Sequence, residues 1–224
     1  MKKKMEKENF FEKKKMSAEV VLPNFSEDVM GRIIAEAAEV ERKSFPKGWQ
    51  FPNIEEYLRE SFSEEKNICI VLKENEKVVG YLVMVSLEGA IEELKGADPG
   101  MPDIKEGYCL DTISILPEKR SGYGFLKMLR AMKNELKKRK TKRLMMHARL
   151  KNNLSKAMKS FFGREGGVVS SRVIEKWKCY NYQEPTEYLD IKLGEKLIIK
   201  PKPIFQIQLF CPYFWLDPDF VQDF

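Results

Sequence analysis

The sequence predicts an α/β domain of the α+β type, a mixed and mostly antiparallel central sheet flanked by helices. Three observations carry this. Short runs such as residues 108–116 (YCLDTISIL) alternate apolar with polar side chains, the period of a half-buried strand. Residues 68–72 (ICIVL) and 78–87 (VVGYLVMVSL) flank the polar turn KENEK, a β-hairpin signature that makes the first half antiparallel. Phe125, Leu129, Met132 and Leu136 recur at intervals of four, three and four, the spacing of one helical face. With 224 residues, 43% hydrophobic and 33% charged, the chain supplies one substantial core and not several.

In chain order, residues 18–22 (AEVVL) form a first strand ended by Pro23. Ser26 suits a helix N-cap, and Val29, Ile33, Ala37 and Val40 continue at helical spacing to about Ser44. Two prolines and a glycine keep residues 45–52 (FPKGWQFP) out of that helix. Asn53, with Glu56 three residues on, opens the next helix through Ile54, Tyr57 and Leu58. After the hairpin, residues 88–106 read as a locally acidic loop. The strand 108–116 stops at Pro117. The helix of residues 124–140 ends on Lys137, Lys138, Arg139 and Lys140, which oppose its negative C-terminal dipole. Residues 144–150 are a strand and 154–162 a helix closed by Gly166 and Gly167; two further strands, 168–179 and 188–193, complete the order.

Composition excludes several chemistries. His147 is the only histidine, so a Ser-His-Asp triad has one possible location and a multi-histidine zinc site has none. Cys69, Cys109, Cys179 and Cys211 form no CxxC pair, so no metal is expected, and sparse unpatterned cysteine fits a reducing cytoplasm. The longest apolar run, residues 78–87, is about half of what a membrane-spanning helix needs, so no membrane contact is expected.

The net charge of +6 is uneven. Residues 1–16 hold seven lysines and three glutamates, a basic arm expected to be disordered and solubilising, so nucleic acid is not an expected partner. Met16 is an alternative natural start. Residues 17–194 form the expected domain. Residues 195–224 are an extension whose last twenty positions carry seven aromatics, among them Phe205, Phe210 and Trp215. So much apolar area predicts packing onto the domain itself or onto a second copy in a homodimer.

The chemistry concentrates in residues 113–126, ISILPEKRSGYGFL, where a strand enters a glycine-containing turn and then an amphipathic helix. That arrangement aims unpaired N–H groups and a positive helix end at one point, a cradle for a pyrophosphate. Gly122 and Gly124 let the chain bend and bring the amides close to an anion, and Lys119 and Arg120 add charge. The GxG is not a dinucleotide fingerprint, since Lys127 stands where a third glycine belongs, nor is it a P-loop, which ends in GK[ST].

The segment Lys119-Arg120-Ser121-Gly122-Tyr123-Gly124 resembles the acetyl-CoA signature [QR]xxGx[GA] of the GNAT superfamily of N-acetyltransferases, with Lys119 replacing the usual Gln or Arg. The resemblance continues through HARLKNNLSKAMKSFFGREGG and covers roughly residues 18–194. It implies that acetyl-CoA is the co-substrate and a primary amine the acceptor, either a small cationic amine or a peptide amine. It further implies that Ile113, Ser114 and Ile115 line the pantetheine arm and that Lys119, Arg120, Ser121, Gly122, Tyr123 and Gly124 hold the pyrophosphate. Asn153 would hydrogen-bond the pantetheine, with Asn152 as the fallback.

Freeing a lysine-like amine of its proton at pH 7 costs roughly 4.6 kcal/mol, so a general base is valuable. Asp111, two residues before Ile113 and so expected on the same strand face, is the candidate. Where the family carries a tyrosine acid, this chain has Phe161 and Phe162; Tyr180 and Tyr182 are the substitutes. Trp49, Phe51 and the turn of residues 180–187 are expected to wall the acceptor site, and His147 reads as a core residue. The alternatives are a catalytically silent acyl-CoA-binding or interaction module on the same scaffold, and a basic nucleic-acid binder.

Overall fold

A computed structural model of the chain describes residues 16–120, 122–164, 166–179 and 182–194. The basic arm up to Lys15, Ser121, Tyr180 and the aromatic extension 195–224 lie outside the described residues. The elements are β1 (Met16–Val20), α1 (Glu27–Ser44), α2 (Ile54–Ser63), β2 (Ile68–Glu74), β3 (Lys77–Ser86), α3 (Leu87–Ala97), β4 (Tyr108–Ile115), α4 (Tyr123–Lys138), β5 (Arg143–Arg149), α5 (Leu154–Arg164), β6 (Val168–Cys179) and β7 (Tyr182–Lys192). Short 3₁₀ turns cover Lys47–Trp49, Pro117–Lys119 and Leu150–Asn152.

The strands form one seven-stranded sheet in the order β1-β2-β3-β4-β5-β7-β6, antiparallel except between β4 and β5. Val71 pairs with Tyr81, whose hydroxyl reaches Glu41 of α1, whereas Leu72, the next residue, lies against Gly124 of α4. Successive strand residues point to opposite faces, so α1 and α4 cover opposite sides of the sheet. The apolar stripe expected on α4 is buried at Met128, Leu129, Met132 and Leu136, and α1 buries Ile33, Ile34, Ala37 and Val40.

Two elements differ from the sequence reading. Within the segment expected to be an acidic loop, residues 87–97 are the helix α3. Leu87 and Ile91 are fully buried and pack with Met101, Cys109, Met145 and Tyr188 in a second apolar cluster. Gly89, Gly96 and the surrounding carboxylates hide that spacing, yet the glycines face open space and cost the helix only propensity. Strand β7 begins at Tyr182 and not at Tyr188. Pro185 is tolerated there because Ile174 pairs with Thr186 and Trp177 with Glu184, leaving the proline at a bulge where no ladder donor is needed.

Two irregularities shape the centre. β4 and β5 pair only from Tyr108 to Leu110 and Leu144 to Met146, after which they splay apart. On the other side of β4, Leu110 pairs with Met84 and Thr112 with Val83, so Asp111 is the extra residue of a β-bulge.

Candidate functional site

The splay leaves peptide groups of β4 facing a gap. Leu116 N–H donates to Val79 O (2.9 Å), so by strand alternation Ile113 and Ile115 turn their peptide groups toward β5. The Ile115 carbonyl is already engaged, accepting Arg120 Nε at 2.9 Å and Ser44 Oγ at 3.1 Å. Ile113 therefore has the peptide group best placed for an extended ligand. Ser114 is buried, and its Oγ has no hydrogen-bond partner among the described residues.

At the end of the gap the chain turns into α4. Gly122 is the N-cap at φ 74°, a left-handed conformation that costs little without a Cβ. The first intrahelical bond runs from Leu126 N–H to Gly122 O (2.9 Å), so the amides of Tyr123, Gly124 and Phe125 precede the ladder. No acidic residue stands in that first turn and no side chain caps it, which is the electrostatic setting an anion favours. Gly124 has a different reason from the one expected. A Cβ there would meet Leu72 Cδ2 at 2.7 Å, so this glycine brings α4 against the sheet.

The basic side chains of the turn are partly committed elsewhere. Lys119 Nζ pairs with Glu74 at 2.6 Å, and Arg120, besides its bond to Ile115 O, reaches Ser44 O at 3.3 Å. Arg120 thus ties the turn to the end of α1, and burial draws its pKa downward. Tyr123 stays exposed with Lys127 Nζ 4.9 Å from its ring centre.

Across the gap, Asn153 is exposed and left-handed (φ 53°) at the entrance to α5, its carbonyl accepting Ala157 N–H at 3.1 Å. Asn152 Oδ1 is used locally, accepting Leu154 N–H at 3.1 Å. Of the two, Asn153 keeps the side chain that is not engaged in that cap.

Asp111 sits at the mouth of the splay. The bulge breaks the alternation on which its expected facing rested. Thr112 and Ser114, paired with Val83 and Tyr81, lie on the α1 face, and Asp111 joins them there by accepting the O–H of Tyr57 from α2. Burial raises the Asp111 pKa, the Tyr57 hydrogen bond lowers it and the Glu93 charge raises it further; the net shift is upward. Asp111 is nonetheless exposed, so its carboxylate can be reached from solvent. Behind it, Tyr81 O–H donates to the carboxylate of Glu41, which is 1% exposed and whose pKa burial raises to about 7. Tyr57, Tyr81 and Glu41 escaped the sequence reading. The available signal was Glu41 itself, a carboxylate in the apolar stripe that Ile34 and Ala38 begin on α1.

The residues expected to wall an acceptor site make their contacts with distant segments. The Arg149 guanidinium lies 3.7 Å from the Trp49 ring centre and pairs with Glu184 of β7. Phe51 stacks on Tyr57 with centroids 4.0 Å apart. Tyr182 belongs to β7. Phe162 is fully buried and Phe161 packs edge-on against it, so both serve the core, and neither carries a hydroxyl. His147 is engaged in packing: its Nε2 lies 2.9 Å from Asp98 Oδ2, its ring stacks 4.1 Å from Trp177, and burial lowers its pKa. Arg172 holds the same Asp98 carboxylate.

Among the described residues no helix is long and apolar enough to cross a membrane, and no group of three or more His, Cys, Asp or Glu is placed to hold a metal ion. No protein-family model matches the chain, and no curated protein matches it by sequence. Solved structures do. The ribosomal-protein-S18-alanine N-acetyltransferase from Escherichia coli superposes with a TM-score of 0.53 at 15% identity, over 83% of this chain and 100% of that one. An acetyltransferase of the GNAT family from Streptococcus pneumoniae gives 0.52 at 15%, over 80% and 100%. The AHL synthase LasI gives 0.54 at 14%, over 84% and 100%. At such identities the likeness speaks for architecture alone. The splayed β4–β5 pair, the glycine turn into α4 and these superpositions together show that the chain carries the fold of the GNAT superfamily.

Proposed function

We propose that the protein is an N-acetyltransferase that moves an acetyl group from acetyl-CoA to a primary amine by direct attack on the thioester. One observation carries this reading: the β4–β5 splay begins beside a carboxylate, Asp111, and ends at the uncapped amides of α4. The residues present fit acetyl-CoA. The amides of Tyr123, Gly124 and Phe125, bent into place by Gly122, meet its diphosphate, with Arg120 just before them in the chain. Ile113 offers a peptide group to the pantetheine amides beside Ser114 and Ile115, and Asn153 approaches from α5. Acetyl-CoA supplies an activated carbonyl when bound.

Asp111 accepts the proton of the incoming ammonium. Burial raises its pKa against the opposing Tyr57 hydrogen bond, the direction that makes it a stronger base. The acceptor is a cationic amine. Supporting this, Asp111 lies near Glu93, and an open cavity of about 260 Å³ beside it is lined by Phe51, Pro52, Asn53, Glu56, Tyr57 and Glu60, joining aromatic faces to carboxylates.

A second reading, a silent acyl-CoA-binding module, is favoured by Phe161 and Phe162 packing where the family places a hydroxyl acid. Acetyl-CoA is expected to raise the melting temperature in both readings. Acetyl transfer to a panel of diamines, aminoglycosides and peptide amines decides between them; the absence of any thermal shift overturns both.

A further inference from the structure

We propose that residues 204–210 (IFQIQLF) add a further strand to the sheet by pairing, within the same chain, with the free edge of β6. β6 stands last in the sheet order, so the side turned away from β7 has no neighbouring strand among the described residues. In an antiparallel pair every second residue turns its N–H and C=O to the partner, and the residues between turn theirs outward. β6 therefore presents a row of backbone donors and acceptors, a template for another strand.

Sheet edges are ordinarily protected by short length, charge, proline or a bulge. The opposite edge has such protection: β1 is five residues long, and its Glu19 pairs with Lys73. β6 has its bulge only beyond Ile174, where Glu175 and Lys176 stand. The residues before it, VVSSRVI, carry one charge, Arg172, whose guanidinium is taken up by Asp98. None of residues 168–177 is fully buried. Val168, at 67%, is the most exposed large apolar side chain among the described residues, and Val173 is 48% exposed. The ladder is regular between these two valines and their separation is odd, so they stand on opposite faces. A partner seated on one face leaves the other wet, whereas a strand added at the edge flanks both.

Residues 204–210 have the matching character. Phe205, Ile207 and Leu209 alternate with Gln206 and Gln208, no charge interrupts them, and Pro203 and Pro212 bound the run as prolines bound strands. The segment is as long as the unprotected stretch of β6 from Val168 to Ile174. The route is short. β7 runs back along β6 until Lys192 stands opposite Val168, and a Cβ on Gly194 would lie 3.0 Å from Gly166 O. The chain thus leaves the described domain where β6 begins. A place beyond β6 is two strand spacings from β7, about 10 Å. Residues 195–203 reach about 30 Å when extended. Entering at that end, the added strand runs parallel to β6. So short a tether holds the segment beside its own β6 at an effective concentration on the order of millimolar, which favours the same chain over a second copy.

The test is amide hydrogen exchange of the full chain, read residue by residue by NMR over a dilution series whose mass is followed by light scattering. Consecutive amides from Val169 to Val173 are expected to exchange slowly in a single-chain species. Pairing with β7 alone protects every second amide of that stretch, and such an alternating pattern overturns the proposal. Ile207→Pro and Gln208→Pro, made separately, remove N–H groups on opposite sides of the added strand, so one of them cuts a bond to β6. That variant should speed the outward amides of β6 by about tenfold or more and leave those bonded to β7 unchanged. If neither proline alters them, the edge is not paired with this segment and the proposal falls. Slow exchange that appears only where the mass doubles assigns the edge to a second copy and overturns pairing within one chain. The exchange of the unaltered chain decides the matter even if both proline variants misfold.

Discussion

The two ends of the β4–β5 gap are built by different means. The end proposed to hold the donor is backbone: the Ile113 peptide, the left-handed Gly122 and the leading amides of α4, all within one continuous stretch of chain. The end proposed for the acceptor is side chain: the pairs Asp111–Tyr57, Glu41–Tyr81 and Trp49–Arg149 draw on six segments and form only in the folded molecule. A site for an invariant anion can be made from amides whose direction the helix fixes. A site that moves a proton needs carboxyls with adjusted affinities, and these depend on neighbours from elsewhere in the chain.

The sharpest way to break this comparison is Asp111→Asn. It should lower acetyl transfer by about 10²- to 10⁴-fold while leaving the acetyl-CoA thermal shift unchanged, because the donor end does not use the carboxylate. Equal losses of transfer and binding would erase the distinction.

Next in size is the stability contribution of Glu41. Its folded pKa, about 7, exceeds the ordinary 4.5, so the folded chain holds a proton that the unfolded chain releases. The contribution is complete below pH 4.5 and is lost as the pH rises through about 7. It amounts to about 3 kcal/mol. Denaturant melts near pH 5 and near pH 8 should differ by roughly that amount, and Glu41→Gln should flatten the difference.

On the donor end, Gly122→Val places a β-branched residue at φ 74°. Acetyl-CoA binding by calorimetry should weaken by about tenfold, with the Asp111 titration undisturbed. The smallest effect is expected of Lys119→Ala. The charge of Lys119 is answered by Glu74 at 2.6 Å, so affinity should fall by less than about threefold, more weakly than the motif suggests.

This contrast also explains what the sequence disclosed. The turn between β4 and α4 was legible because helix starts, glycines and strand ends are local signals, and most strands were legible from alternation and hairpin turns. Gly124 shows the limit even there: its position could be read, its contact with Leu72 could not. Helix α3 was hidden by Gly89 and Gly96, although Leu87 and Ile91 kept the apolar spacing that buries it. Asp111 could be read as a carboxylate on β4, but not the way it faces. The bulge that turns it toward α2 requires a partner strand one residue shorter, and no local pattern around Asp111 announces the length of β3.

The three rungs that join β4 to β5 have a mechanical consequence. β1 to β4 form one wing and β5, β7 and β6 another, each internally laddered over many residues, and the seam between them is the shortest pairing in the sheet. A ligand lying along this gap, as proposed, would touch both wings and complete a span that the ladder leaves open. The visitor then acts as a keystone, and amide exchange along the seam should slow when it arrives.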